Sequence, residues 1–245
     1  MKSHSAALLL GSALALGACA SPGPKNPADP FEGFNRQMYG FNDGLDRAIL
    51  EPAAKGYRAV TNKPIRQGIT NFTNNLGEPL TFTNELLQFN IPHAAGTFGR
   101  FVVNSTIGLA GLFDPATSFG IKRTDEDFGQ TLGAWGVKPG PYLVLPFLGS
   151  TDPRDLVGWG ADFGLNPLNY ADFEHANTLR VTNFVLGGLS ARESAIETVD
   201  NVRQTQLDPY TTLRRFYVRN RAAAVRNAAT VTNPVEDVPD YEMNF

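Results

Sequence analysis

The side chains able to do chemistry are few, and a cysteine is the most telling of them. Cys19 is the only cysteine in the chain, which excludes an internal disulfide and any Cys-based zinc cluster. It closes the run Leu16-Gly17-Ala18-Cys19. That is the pattern of a bacterial lipobox, where small residues admit a signal peptidase and the thiol accepts a diacylglyceryl group. Plain secretion with a spare thiol is the alternative, but the one cysteine stands at the one position a lipobox needs. Of the three histidines, His4 falls in the leader, and His93 with His175 cannot make a three-His zinc site. The acids of Thr124-Asp125-Glu126-Asp127 read as a helix start: Thr124 can accept a backbone N–H of Glu126 or Asp127, and the carboxylates sit at the positive end of the dipole. No P-loop, HExxH, CxxC or GxSxG is present. Gly158-Trp159-Gly160-Ala161-Asp162-Phe163-Gly164 has the wrong glycine spacing for a dinucleotide loop and reads as packing. With Cys19 acylated, no thiol nucleophile is left. Carboxylate-only catalysis of the glycosidase kind survives on composition, yet no pair stands out from caps and surface charge. The expectation is a non-enzymatic protein with no cofactor and no metal.

Attachment is consistent with the leader. Lys2 precedes an apolar run from Ala6 to Leu16, too short for the roughly 20 residues that span a bilayer. Residues 1–18 read as a signal peptide and Cys19 as the mature N-terminus, with 19–28 a lipidated, Pro-rich spacer. Buried acyl chains stabilise attachment by about 0.8 kcal/mol per CH₂. Ala20 follows the cysteine; an Asp there would mark inner-membrane retention in enteric-type lipoproteins, so the resemblance favours the outer membrane. The 21 basic and 24 acidic residues leave a net charge of -3, with no general attraction for nucleic acid. Charged residues make up only 18%, against about 25% in ordinary soluble domains. With 24 Gly, 17 Pro and 17 Phe, short interrupted helices and a large apolar surface are expected.

The elements that would position these residues are mainly helical. Phe34, Met38, Phe41, Leu45 and Ile49 step by 4, 3, 4 and 4, one helical stripe that Pro52 is expected to close. Ile65, Ile69, Phe72 and Leu76 repeat the stripe after Pro64, Pro79 is expected to start another helix with Phe82, Leu86 and Phe89 inward, and Pro92 opens a third. There Ala95, Phe98, Phe101, Val102 and Ile107 alternate with Gly96, Gly99 and Ser105, small residues that allow close packing in lipid or in water. Tyr142–Phe147 is the one good strand candidate, beside a Gly136–Pro141 turn, which suggests a hairpin-like loop. Asp152-Pro153 and Asp208-Pro209 read as N-cap and first-turn pairs, and between Asn177 and Ile196 a longer helix should break softly at Gly187-Gly188. The stretch from Arg203 to Arg226 holds six arginines and one acid, a stripe for anionic headgroups, for an acidic partner or simply for solvent. A single domain over 29–227 is expected, followed by a flexible acidic tail at 228–245.

Several stretches, in order, are more specific than any periodicity: Asp29-Pro30-Phe31-Glu32-Gly33-Phe34-Asn35-Arg36, Asn71 to Pro79, Asn104 to Ala116, Glu126 to Gly133, and Gly140-Pro141-Tyr142 through Leu145-Pro146-Phe147 to Asp152-Pro153-Arg154-Asp155. Together they resemble the MlaA (VacJ) family of outer-membrane phospholipid-transport lipoproteins, over roughly Asp29 to Arg221. The resemblance implies a mainly α, ring-like arrangement of short amphipathic helices with one short hairpin, embedded in the inner leaflet of the outer membrane and facing the periplasm. It also implies an amphipathic channel that removes phospholipids misplaced in the outer leaflet, hands them to a periplasmic lipid-binding shuttle, and associates with trimeric porins. By their place in the matching motifs, Phe34, Asn35, Phe41 and Asn42 are expected near the channel, and Gly136 and Gly140 as hinges of the hairpin. Lys138 stands between those glycines where the family pattern suggests a small residue. A porin-associated scaffold without a lipid path, or an anchored envelope hydrolase, is the alternative.

Overall fold

The computed structural model describes residues 28–227. The leader 1–18, Cys19 with the spacer as far as Pro27, and the 228–245 segment lie outside the described residues. Helix α1 (Glu32–Leu45) runs through a π-helical turn (Asp46–Leu50) into α2 (Glu51–Val60). Pro52 therefore sits in the first turn of α2 rather than closing the helix, directly after the π-turn that interrupts the regular i→i−4 ladder. Helix α3 (Lys63–Leu87) is capped by the Asn62 side chain and continues through Pro79. The sequence predicts a new helix at that proline. Instead α4 (Ile91–Thr106) packs along α3, and that packing outweighs the roughly 3 kcal/mol an interior proline costs.

A one-turn helix α5 (Pro115–Ser118) and α6 (Phe128–Ala134) follow. The cap of α6 is Asp127, which accepts the Gln130 N–H, and not Thr124, whose hydroxyl is bonded to Glu85 and Thr97. Strands β1 (Leu143–Leu145) and β2 (Gly149–Thr151) pair antiparallel in the register Leu143–Thr151, Val144–Ser150 and Leu145–Gly149. The hairpin thus turns at Pro146–Leu148; the Gly136–Pro141 segment is the approach to it, not its tip. Helix α7 (Pro153–Leu165) starts on the expected Asp152 cap. It crosses α6 so closely that a Cβ on Gly158 would lie 2.4 Å from the Gly129 nitrogen, which is the packing role read for that glycine. Helix α8 (Ala176–Ser194) passes through Gly187-Gly188 without a break and ends only before α9 (Ile196–Thr205). Helix α10 (Pro209–Val225) starts on the Asp208 cap, as expected.

The stripes read from the sequence exist, but several face outward. On α3 the buried face is Asn75, Glu78, Thr81, Asn84 and Glu85, while Leu86 and, just past the helix, Phe89 (84% exposed) point away. On α4 the buried set is Ala94, Thr97, Arg100 and Asn104, and Phe98 and Val102 are exposed. The polar interior is largely, though not fully, bonded to itself: Glu78 and Glu85 each keep one buried oxygen without a partner among the described residues. The Arg100 guanidinium, with 2% of its side chain exposed, reaches Glu78 (3.3 Å), Asp114 (2.9 Å) and the Ile121 carbonyl (2.6 Å). Asn84 bonds Thr131 (2.9 Å) and Asp162 (3.1 Å). The apolar cluster that is buried is small, Tyr142, Val144 and Tyr210, with Met38, Tyr39 and Tyr217 against it.

Candidate functional site

Two asparagines on α1 hold the hairpin. Asn35 donates to the Tyr142 carbonyl (3.0 Å) and accepts the Val144 N–H (2.9 Å); Asn42 donates to the Leu145 carbonyl and accepts the Phe147 N–H, both at 2.8 Å. Each amide presents a donor and an acceptor side by side, as a neighbouring strand would. Two helical turns advance about 10.5 Å, close to the roughly 10 Å of three strand residues, so the seven-residue spacing fits the hairpin's free edge. Asn35 is fully buried and also bonds Asp29 (3.0 Å), so in this conformation it positions the hairpin and exposes no surface to a ligand. Phe41 is exposed and meets the Phe147 ring at the hairpin tip edge-on, with centroids 5.4 Å apart. Phe34 is half-buried on the same helix.

Gly136 and Gly140 line a cavity of about 670 Å³ under the segment that leads into β1. Both lie in the left-handed region, at φ 91° and 80°, where a Cβ is strained. The segment's other wall is α10, through Val218, Ala222, Val225 and Arg226. Beside it runs an ionic wall that sequence reasoning did not single out. Arg221 on α10 joins Asp127 (2.6 Å to each oxygen) to Asp155, and Arg154 bonds Asp155 from the other side (3.0 Å). Tyr217 donates to Asp155 (2.6 Å) and Asp152 (3.1 Å). Burial works to lower the Arg221 pKa, but the two carboxylates more than offset it and leave the group raised. Burial together with the Asp155 bond raises Tyr217, keeping it a neutral donor. Asp152 is raised by burial. The motif Asp152-Pro153-Arg154-Asp155 carried a signal for this wall; Arg221, distant in sequence, carried none beyond its place in the arginine-rich stretch.

That stretch is largely spent inside the molecule. Arg203 bonds Asp43, Asp46 and Glu51, each at 2.8 Å, and Arg214 reaches the Ala28 carbonyl (2.9 Å). Glu126, one of the acids read as caps, is instead buried, and desolvation pushes its carboxyl up to about 7 despite a bond from Gln88. Among the described residues no group of three or more His, Cys, Asp or Glu is placed to hold a metal ion.

Comparison with known proteins joins this geometry to a family. Residues 27–224 match the family model described as MlaA lipoprotein. The intermembrane phospholipid transport system lipoprotein MlaA of Haemophilus influenzae is 35% identical over 98% of this chain and 97% of its own length. Its namesake in Escherichia coli is 38% identical over 89% of this chain and 86% of its own. A solved structure reported as "Structural basis for maintenance of bacterial outer membrane lipid asymmetry" superposes with a TM-score of 0.71 at 35% identity, covering 80% of this chain and 98% of that one. The mainly helical body with its short hairpin, the ordered motifs and these matches make the chain a member of the MlaA lipoprotein family.

Proposed function

We propose that this chain is the lipid-anchored outer-membrane component of a phospholipid transport system. In this reading its helices form a ring in the inner leaflet, and an amphipathic channel carries phospholipid misplaced in the outer leaflet towards the periplasm. A soluble lipid-binding shuttle receives it there, and trimeric porins hold the ring in place. The protein binds and passes lipid and makes or breaks no bond.

The observation that carries the reading is the inverted burial. Arg100, Glu85, Asn84 and Thr97 are inside while Phe98, Phe163 and Phe184 are outside. A body dissolved in water does the reverse. Among the described residues no helix is long and apolar enough to cross a membrane, which fits a body sunk in one leaflet. Ala28 lines the cavity nine residues after Cys19, so an acyl anchor there stands within about 30 Å of the mouth. The Gly136–Gly140 segment, exposed between the cavity and the hairpin and with free backbone rotation at its two glycines, is in this reading the part that moves, with Phe34, Phe41 and Asn42 as the channel-side residues of α1.

The test is outer-leaflet aminophospholipid, labelled by a membrane-impermeant reagent in intact cells with and without the protein. The expected result is a rise on deletion that wild type reverses and Cys19→Ala does not. An unchanged level, with the envelope intact and no other lipid-removal route active, would favour a porin-bound scaffold.

A further inference from the structure

The cavity under the Gly136–Gly140 segment has two kinds of charge. On its inner wall Arg154 and Arg221 are paired with Asp155 and Asp127, and a third carboxylate, Asp152, accepts the Asp155 N–H (3.0 Å) and the Tyr217 hydroxyl and has Arg154 at 3.8 Å. Lys138 and Arg226 also line the cavity, from opposite walls, one on the glycine segment and the other at the end of α10. Both are exposed, and neither has an ion-pair partner among the described residues. Between them lies an apolar surface that includes Val137, Pro139, Pro141, Val218 and Val225.

We propose that Lys138 and Arg226 make this cavity select phospholipids of net negative charge. The inference rests on the lipid-passage reading above and adds a headgroup preference to it. An apolar wall bounded by two cations without ion-pair partners among the described residues complements an amphiphile whose acyl part meets the wall and whose phosphate meets the cations. A zwitterionic headgroup brings its own ammonium to the same place, and the repulsion cancels much of the phosphate's attraction. An anionic headgroup such as phosphatidylglycerol carries no such cation. Lys138 is placed for this by its neighbours. The left-handed glycines on either side turn the chain back over the cavity, and Gly140 is packed so closely that an added Cβ would meet Pro153 at 3.2 Å.

The experiment loads the purified, acylated full chain in detergent from vesicles of equimolar phosphatidylethanolamine and phosphatidylglycerol, then identifies the lipid recovered with the protein. One unscreened contact at about 4 Å in a wet mouth corresponds to about a fivefold preference for phosphatidylglycerol. Lys138→Gln with Arg226→Gln should bring the ratio to about one by lowering the phosphatidylglycerol recovered, Arg226→Lys should keep the preference, and added salt should erode it. Both sites are exposed, so an unchanged thermal melt is expected to accompany the lost preference. A wild-type protein that recovers no phospholipid would refute the lipid-passage reading itself. Recovery without headgroup preference, or a preference that survives the double substitution, overturns this inference alone. Displacement of the lipid by soluble glycerol phosphate would assign the cations to a free phosphate compound instead. More lipid bound by the double variant would assign them to the chain's own acids at Glu236, Asp237, Asp240 and Glu242.

Discussion

Arg100 and Glu126 sit in the same polar interior and behave oppositely, because one charge is answered and the other is not. Arg100 spends its guanidinium on Glu78, Asp114, Thr117 and a backbone carbonyl, and against the pull of burial the bonds from Thr117, Arg100 and Asn104 hold Asp114 down at about 2. Arg100→Ala would leave two carboxylates facing a void. The expected loss is about 3–5 kcal/mol, read as a lowered melting temperature in detergent, and a loss below 1 kcal/mol would mean that water already shares the site. Among the described residues Glu126 has only Gln88 as a hydrogen-bond partner. Its folded pKa of about 7 lies above the ordinary 4.5, so the folded state holds a proton that the unfolded state releases. Its contribution is favourable below pH 4.5, declines as pH rises through that window, and has become a full penalty above about 7. Glu126→Gln should therefore raise the melting temperature at pH 8 and leave it nearly unchanged at pH 4, the difference amounting to roughly 3 kcal/mol. Equal shifts at both pH values would assign the effect to packing. Neither role is visible in the sequence, where Arg100 is an ordinary charged letter on a helix whose inside is not marked and Glu126 one of three acids before a helix start.

At the scale of elements the sequence was legible wherever a local rule decides the outcome. Asp152 and Asp208 cap the helices that follow them because a short polar side chain before a first-turn proline satisfies an orphan N–H. Legibility failed where a neighbouring element decides. Pro79 stays inside α3 because α4 packs along it, and Gly187-Gly188 stays helical within α8. Gly136 and Gly140 were readable as turn residues, while the role of Asn35 and Asn42 as clamps depends on a strand more than a hundred residues away. Those clamps make a prediction about motion. Asn42→Leu removes the bonds to Leu145 and Phe147 and leaves Asn35 gripping the base of the hairpin. Each lost bond is worth about 1 kcal/mol. Amide exchange at Phe147 should therefore quicken about tenfold or more while that of Val144 is unchanged, measured by hydrogen–deuterium exchange on the protein in detergent. Equal quickening at both residues would mean that the hairpin moves as one rigid piece.

For the whole molecule the question is what solvates it. Periodicity in the sequence reports two faces per helix and is silent on which is inside, so Phe82, Leu86 and Phe89 were expected inward on the ordinary assumption that water is the solvent. With a largely polar interior and Phe163, Phe184 and Val181 at the surface, burying apolar area distinguishes folded from unfolded in water less than usual, because much of that area stays exposed when the chain folds. In the proposed function acyl chains would resolve the imbalance, for the body itself as well as for an anchor at Cys19. The two tryptophans, Trp135 before the glycine segment and Trp159 on α7, are both partly exposed and report on this directly. In vesicles containing phospholipid brominated along its acyl chains, single-tryptophan variants should be quenched if the body is immersed. The quenching at Trp159, which shares α7 with exposed Val157 and Phe163, should persist in Cys19→Ala protein reconstituted by detergent removal. Quenching that vanishes with the acyl anchor would mean a body held above the bilayer, its apolar faces then being covered by another protein.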